Sequence, residues 1–453
     1  MTTVDDDRPL HMIPMASRPM PTLRDRARVA LFLVTFVLYL VFAHTFQLLF
    51  LPFLALSVVA SFATTEPLKS IKHTSREVFR LGIKWTKEIF ASILIALVRL
   101  FGRTTLVITM DSRDELERFV ERDQDGTVTG FKIDKHAVWM SNHQCYVDWI
   151  MIWLIMAYGR VSEGIVIIIK ASLQWAPLVG PAMQLFRFVF LSRAKPLSQS
   201  TMYETARDSV ERNDPFQLVI YPEGTLYSRL TRPKSKAFAD ARGITDMEYT
   251  LLPRSTGLLY TLRLLSTLFP PSQPSPSPSS TSPTPATSPA PFLTLYDLTI
   301  GYAGVRPREY AQSYISLQSW FGRGIPPPTV HVHVQSLRVW VDSIPIGTVR
   351  PSARPKHIEA EITDPERDAF EEWIFGRWRD KDERMGTFEA DGRGFVPRKR
   401  EEDGDGDGPA SAEFEIEMRP ADWVRLTSVP IGLTVFYYFV GYVVKEFLIK
   451  WRS

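Results

Sequence analysis

Cysteine is nearly absent: Cys145 is the single one among 453 residues. An internal disulfide framework is therefore excluded, and nothing in the chain requires an oxidising compartment. No Cys/His cluster has zinc spacing, and no metal is expected. His331 and His333 alternate within a strand-like stretch at 330–341, so both rings share one face, but no third ligand follows and a hydrogen-bonded strand face is the expectation. An excess of one charge is lacking as well: the net charge is only +3, which argues against a nucleic-acid partner held by bulk electrostatics. A Gly-x-Ser-x-Gly elbow is missing, which counts against a serine hydrolase.

What the chain does have is aromatic and apolar surface, with aromatics at 12%. Residues 1–28 mix proline with opposing charges and read as a flexible tail. Residues 29–65 carry no acidic or basic side chain except His44 and exceed the about 20 residues that one membrane crossing needs. The run starts too late and is too long for a signal peptide. Either one long tilted span or a shallow hairpin turning near 47–52 fits. Arg24, Arg26 and Arg28 place the first flank on the cytosolic side, and Lys69, Lys72 and Arg76 make the far flank basic too, which favours the hairpin. In 66–103, Val78, Leu81, Trp85, Ile89 and Ile93 recur at helical spacing with Arg80, Lys84 and Lys87 among them; a helix lying in the headgroup plane and a core-packing helix are both open.

From 104 to 350, strand-like segments (104–110, 131–140, 164–170, 186–191, 218–221, 292–302) alternate with helical ones. That pattern predicts an α/β domain with a mainly parallel sheet flanked by helices. Within it, 270–291 is almost all Pro, Ser, Thr and Ala, cannot bury a core, and is expected to be a disordered insert. Residues 351–397 read as a helical extension, with Phe370, Trp373, Ile374 and Trp378 at helical spacing after a cap at Thr363 or Asp364. Residues 398–423 read as a charged linker, and 424–453 as a C-terminal membrane helix, with Pro430 and Gly432 leaving room for a re-entrant pair.

The chemistry centres on 141–149, Ser-Asn-His-Gln-Cys-Tyr-Val-Asp-Trp, between the strand at 131–140 and the apolar segment 150–158. An offset of five residues turns about 500° on an α-helix, so His143 and Asp148 would not share a face if both were helical. With His143 before the helix and Asp148 in its first turns, the carboxylate can fold back and take the imidazole Nδ1–H, leaving Nε2 as a base. Such a pair has no built-in nucleophile, so the nucleophile belongs to a substrate. Cys145 reads as a small filler; a thiol nucleophile forming an acyl-enzyme is the alternative. A second stretch, 217–225, Gln-Leu-Val-Ile-Tyr-Pro-Glu-Gly-Thr, reads as a buried strand ending in a tight turn.

Residues 142–148 resemble the N-H-x-x-x-x-D block of the glycerolipid acyltransferases, and 217–225 resembles that family's F-P-E-G-T block, with Tyr221 in place of Phe. Two further blocks agree in order, 188–193 (Phe-Val-Phe-Leu-Ser-Arg) and 251–257 (Leu-Leu-Pro-Arg-Ser-Thr-Gly). The resemblance implies His143 as base with Asp148 behind it, and a lysolipid site shaped by Asn142, Glu223, Gly224 and Thr225. Pro253 would help form an apolar wall near the acyl chain. The family pattern continues with an arginine where this chain has Leu226, so Lys170, Arg193 and Arg229 are the candidate phosphate contacts. Lys170-Ala-Ser-Leu, 296–302 and 330–334 are similar to the eukaryotic branch holding lysocardiolipin, lysophosphatidylinositol and some lysophosphatidate acyltransferases. Implied with it are acyl-CoA as co-substrate with no cofactor, a lysophospholipid acceptor, membrane lipids as surroundings, and an internal membrane such as the endoplasmic reticulum. Two other classes stay open: a thioesterase or lipid hydrolase using the same pair on water, and a membrane scaffold that has lost turnover.

Overall fold

The computed structural model describes residues 8–62, 65–191, 199–269, 292–349, 361–390, 393–396 and 408–452. The insert expected at 270–291 lies outside them, as do Arg193 and the first part of the linker expected at 398–423. In chain order the elements are α1 (Leu23–Leu48), α2 (Leu51–Val59), α3 (Glu66–Phe101), β1 (Thr105–Met110), α4 (Arg113–Phe119), β2 (Val120–Arg122), β3 (Val128–Phe131), β4 (His136–Ser141) and α5 (Asp148–Tyr158). Then come β5 (Ile165–Lys170), α6 (Val179–Leu185), β6 (Val189–Leu191), α7 (Gln199–Glu211), β7 (Phe216–Ile220), α8 (Arg232–Arg242) and α9 (Ser255–Ser266). The chain closes with β8 (Thr294–Tyr302), β9 (Thr329–Arg338), α10 (Asp364–Gly386), β10 (Ala410–Glu415) and α11 (Pro420–Arg452).

One sheet of eight strands organises the molecule, in the order β10-β1-β9-β8-β4-β7-β5-β6. Pairing is parallel at β1–β9, β8–β4, β4–β7, β7–β5 and β5–β6, and antiparallel at β10–β1 and β9–β8. The fold is thus α/β with a mainly parallel sheet, as the segment alternation predicts. Strand side chains alternate between two cores: Ala137 and Trp139 face the one built with α3 and α5, while Val138 and Met140 face the one built with α9 and α10. Because both faces are covered, the central strands are apolar throughout rather than alternating.

Several segments differ from the sequence expectation. The tail does not hang free over its described part: Arg18 is buried, donating from Nε to Ile13 O (2.8 Å) and from Nη2 to Tyr314 O (2.8 Å). Three well-placed acceptors, including Ser319 Oγ at 2.5 Å from Nη1, satisfy a guanidinium that composition alone marks as solvated. The chain does not turn back at 47–52. Phe32 packs on Phe101, Gln47 Nε2 donates to Thr86 Oγ1 (3.2 Å), and the Phe50 ring lies against Gly82. These contacts step steadily down α3, so α1 and α2 run on in one direction and α3 is the returning arm. Pro52 near the start of α2 interrupts the helix without reversing it, since proline is tolerated in a first turn.

Helix α3 itself divides. Its second half, with Ile89, Ile93, Leu94, Ile95 and Val98, is core, while Leu68, Ile71, Leu81 and Trp85 stay exposed. The interfacial reading therefore fails for the second half. The charged linker contains a strand: in β10, Ala412 and Phe414 are buried and Glu413 and Glu415 exposed, a period-2 pattern hidden by the acidic composition. As an edge strand it keeps its charges outward, which discourages further pairing. Helix α10 is no peripheral extension, because Phe370, Ile374 and Trp378 are fully buried in the second core; a capping box from Thr363 and Glu366 starts it. Two apolar helical runs, Leu23–Phe62 (40 residues) and Pro420–Tyr442 (23 residues), are long enough to cross a membrane.

His331 and His333 share a strand face, each with a partner of its own. His331 Nε2 meets Thr329 Oγ1 at 2.9 Å, and His333 Nε2 lies 3.2 Å from Asp111 Oδ1. Among the described residues no three metal-ligating side chains gather. Burial lowers the His331 imidazole from 6.5 to about 4. The unfolded chain therefore takes up this proton as pH falls below 6.5, whereas the folded chain resists until about 4. Stability drops across that window, by roughly 3 kcal/mol from this residue. Thermal unfolding in detergent at pH 7 and pH 5 should show a smaller acid loss for His331→Asn than for the wild type; equal losses would contradict this.

Candidate active site

Strands β4 and β7 are parallel neighbours, so their carboxyl ends bring residues 142–148 and 221–225 side by side. Clefts at the carboxyl ends of such strands are where α/β folds bind ligands. Asp148 opens α5 and is fully buried. Its Oδ2 accepts from the backbone N–H of Gln144 (2.7 Å), from that of Cys145 (3.0 Å) and from His143 Nδ1 (2.8 Å). Its Oδ1 accepts from the Tyr302 hydroxyl at 2.5 Å. An ionised carboxylate only accepts, so Nδ1 carries the hydrogen and Nε2 is the nitrogen left for a substrate proton. The helix N-terminus adds a favourable dipole to this buried charge.

His143 sits in the loop before α5, its side chain one-fifth exposed (20%). Its ring stacks on Tyr221, centroids 4.1 Å apart at 20°, and its carbonyl accepts from Tyr227 N (2.8 Å). The ring is therefore held behind by Asp148 and flat by Tyr221, and its backbone is tied to Tyr227, two residues past the 217–225 block. The structure thus joins His143 to Asp148 with the carboxylate folded back from the first helical turn.

The other sequence-derived site residues separate into groups. Asn142 does not face a ligand: buried, it spends its amide on the Ile300 backbone, donating to O (3.0 Å) and accepting from N (2.8 Å). That pins β4 to β8 and fixes where the His143 loop begins. Glu223 is also turned inward, 3% exposed, with Trp378 Nε1 donating to Oε1 at 3.3 Å. Burial pushes its carboxyl well above the usual range; it buttresses the turn rather than lining a phosphate site. Pro253 is buried where the fourth block crosses the third, next to the bond from Arg254 N to Pro222 O (2.8 Å), so its place is structural. Gly224, at φ +69°, and Thr225 are exposed at the open edge, as are Lys170 at the end of β5 and Arg229. The left-handed φ at 224 is one that glycine adopts without strain. Leu226 is buried.

Cys145 is fully buried with its Sγ 3.4 Å from Asp148 Oδ1, and burial beside that carboxylate raises the thiol well above its ordinary value. A protonated thiol closed off from solvent is a poor nucleophile, so the acyl-enzyme alternative has no support here.

Three residues near this site were not singled out from the sequence for a role in it. Tyr302 belongs to a segment noted only for resemblance, and Trp378 to the aromatic residues at helical spacing in the extension. Arg254 stands over Gly224: a Cβ at that position would lie 3.4 Å from its Nε. The signal for Arg254 was present, as the one charged residue in an otherwise apolar and hydroxyl-bearing block.

Fold and site together define an α/β domain in which a partly exposed histidine is hydrogen-bonded to a buried aspartate, with the neighbouring thiol of Cys145 closed off from solvent. A family model described as Acyltransferase matches residues 114–272. An acyltransferase of Schizosaccharomyces pombe is 28% identical over 325 residues, 72% of this chain and 79% of that one. A 2-acyl-1-lysophosphatidylinositol acyltransferase of Saccharomyces cerevisiae is 26% identical, over 69% of this chain and 76% of its own. Lysocardiolipin acyltransferase 1 of Danio rerio is 26% identical over 58% and 55% respectively. Residues 114–272 thus match an acyltransferase family model, and the longer alignments show the chain to be similar to lysophospholipid acyltransferases.

Two substitutions probe this geometry. Tyr302→Phe removes one donor to Asp148 and should cut the turnover number on the order of 10-fold. The acid limb of its pH–rate profile should move to higher pH, because a carboxylate relieved of that donor holds the imidazolium more tightly. A loss of turnover with an unmoved profile would leave Tyr302 a merely structural role. Cys145→Ser should keep most activity in the same assay, and near-complete loss would restore the thiol as a nucleophile.

Proposed function

We propose that the protein is an acyl-CoA-dependent O-acyltransferase that esterifies the free hydroxyl of a lysophospholipid at a membrane, in phospholipid synthesis or remodelling. The observation that carries this reading is the His143 Nδ1–Asp148 Oδ2 bond of 2.8 Å, with the neighbouring Cys145 thiol buried. His143 Nε2 takes the proton of the acceptor hydroxyl as its oxygen attacks the thioester carbonyl, and Asp148 stabilises the imidazolium so formed. Collapse of the tetrahedral intermediate expels the CoA thiolate, which recovers the proton from the imidazolium. Because the thioester is already activated, the step needs no covalent enzyme intermediate. His143 acts as the base; Gly224 and Thr225, with Lys170 on the neighbouring strand, stand at the open edge where the acceptor's headgroup would lie. Relatives named for lysophosphatidylinositol and lysocardiolipin support a lysophospholipid acceptor, and the two long apolar helical runs support membrane attachment, with the endoplasmic reticulum as the proposed site.

Acyl transfer from labelled oleoyl-CoA by purified protein in detergent, against a panel of lysolipids, tests the proposal. Product should appear only with a lysolipid present and fall at least about 100-fold in His143→Ala, at the low end of what a positioned base contributes. Free fatty acid released without an acceptor would instead identify a hydrolase.

A further inference from the structure

Arginines near the third and fourth blocks are mostly committed. Arg232 pairs with Asp246 at 2.5 Å, Arg242 with Glu371 at 2.6 Å and Arg308 with Glu248 at 2.6 Å. Arg263 is buried against Ile346 O at 2.6 Å. Arg254 differs. Only its backbone N–H is used, by Pro222 O, and its exposed side chain makes no hydrogen bond or ion pair among the described residues. It is not a free-floating surface cation either, because its Nε, Cδ and Cζ stand 3.4 to 3.6 Å from where a Gly224 Cβ would be. At that spacing the guanidinium lies over the turn within van der Waals reach of it.

Among the described residues no acid pairs with this charge; Arg229, four residues beyond Thr225, is likewise exposed and without an ion pair, but the turn approaches Arg254 directly. Glu223, the acid of the turn, points away into the core towards Trp378, and burial favours its protonated form. Leu226, one residue beyond Thr225, is buried and apolar. Thr225 is exposed, so its hydroxyl is open to the same space. The same turn reaches the base, since Tyr227 N donates to His143 O.

Resting on the acyltransferase reading above, we infer that Arg254 grips the phosphate of the acyl acceptor over the Gly224–Thr225 turn. It thereby selects phosphate-bearing lysolipids over neutral monoacylglycerol. A planar guanidinium can take two phosphate oxygens at once, a geometry that lysine lacks. It holds the glycerol next to the phosphate and so places the free hydroxyl at His143.

Equilibrium binding by full-length protein in detergent tests the inference, with lysophosphatidylinositol, lysophosphatidic acid, monooleoylglycerol and oleoyl-CoA as probes. Arg254→Gln should weaken both phosphorylated lysolipids by about 10- to 100-fold and leave monooleoylglycerol and oleoyl-CoA unchanged. Arg254→Lys should fall between, and as a conservative surface change it guards against misfolding as the cause. Lysolipid binding equal to wild type in Arg254→Gln, an equal loss for monooleoylglycerol, or a loss confined to oleoyl-CoA would each overturn the assignment. Turnover is read separately. Wild-type protein that binds lysolipid through Arg254 yet transfers no acyl group would sink the transferase reading alone, whereas transfer with unaltered lysolipid binding in Arg254→Gln would sink this inference alone.

Discussion

The buried carboxylate of Asp148 is the constraint on which the site depends. A charge with no exposed surface must be compensated where it sits, or it would protonate and lose its function. Here the compensation comes from two backbone N–H groups, one phenol, one imidazole and a helix N-terminus. To supply those N–H groups, residues 144 and 145 must wrap around the carboxylate, and that wrap carries His143 into place. Strand β8 acts as the template for the whole loop. Ile300 holds Asn142 at its start, and Tyr302, two residues on and on the same strand face, holds Asp148 at its end.

The opposite sheet face shows how the chain beyond residue 272 completes the domain. From α10, Lys381 and Arg377 pair with the buried Asp297 of β8, and Lys381 also donates 2.5 Å to Leu298 O. Burial lowers the Lys381 ammonium to about 8. A buried ion group of this kind adds little net stability over an apolar replacement, but it is costly to break from one side, so it fixes how α10 docks. One turn earlier, Trp378 reaches Glu223. The register set by Asp297 therefore decides whether the third block is supported. The matched segment 114–272 contains His143, Asp148 and Glu223, yet Tyr302 and Trp378, which hold two of them, come from outside it.

The strands of the domain and the His143–Asp148 pair were legible because each depends on local pattern: β-branched runs such as 165–170 and a polar loop between an apolar strand and an apolar helix. What was not legible depends on partners distant in sequence. Arg18 looks solvated until Tyr314 and Ser319 are brought over it. The strand at 410–415 is hidden by its glutamates, because an edge strand turns one face to water and composition averages both faces. Asn142 and Glu223 read as ligand-facing, since polar residues in a site block are usually assumed to point at the ligand. Their buried neighbours, Ile300 and Trp378, lie more than 150 residues away in sequence and show that both are braces.

That division between braces and open groups locates selectivity. The base is clamped behind by Asp148 and flat by Tyr221, so it has little freedom to adapt to different acceptors. A fixed base takes a proton only from a hydroxyl delivered to it, and delivery must come from the side that is not clamped. On that side the turn presents Gly224, Thr225 and the guanidinium of Arg254, which makes no ion pair among the described residues. Water needs no delivery by charge, whereas an anionic lipid does. On the reading proposed above, a rigid base with a cation at its mouth suits transfer onto a phosphate-bearing alcohol better than hydrolysis.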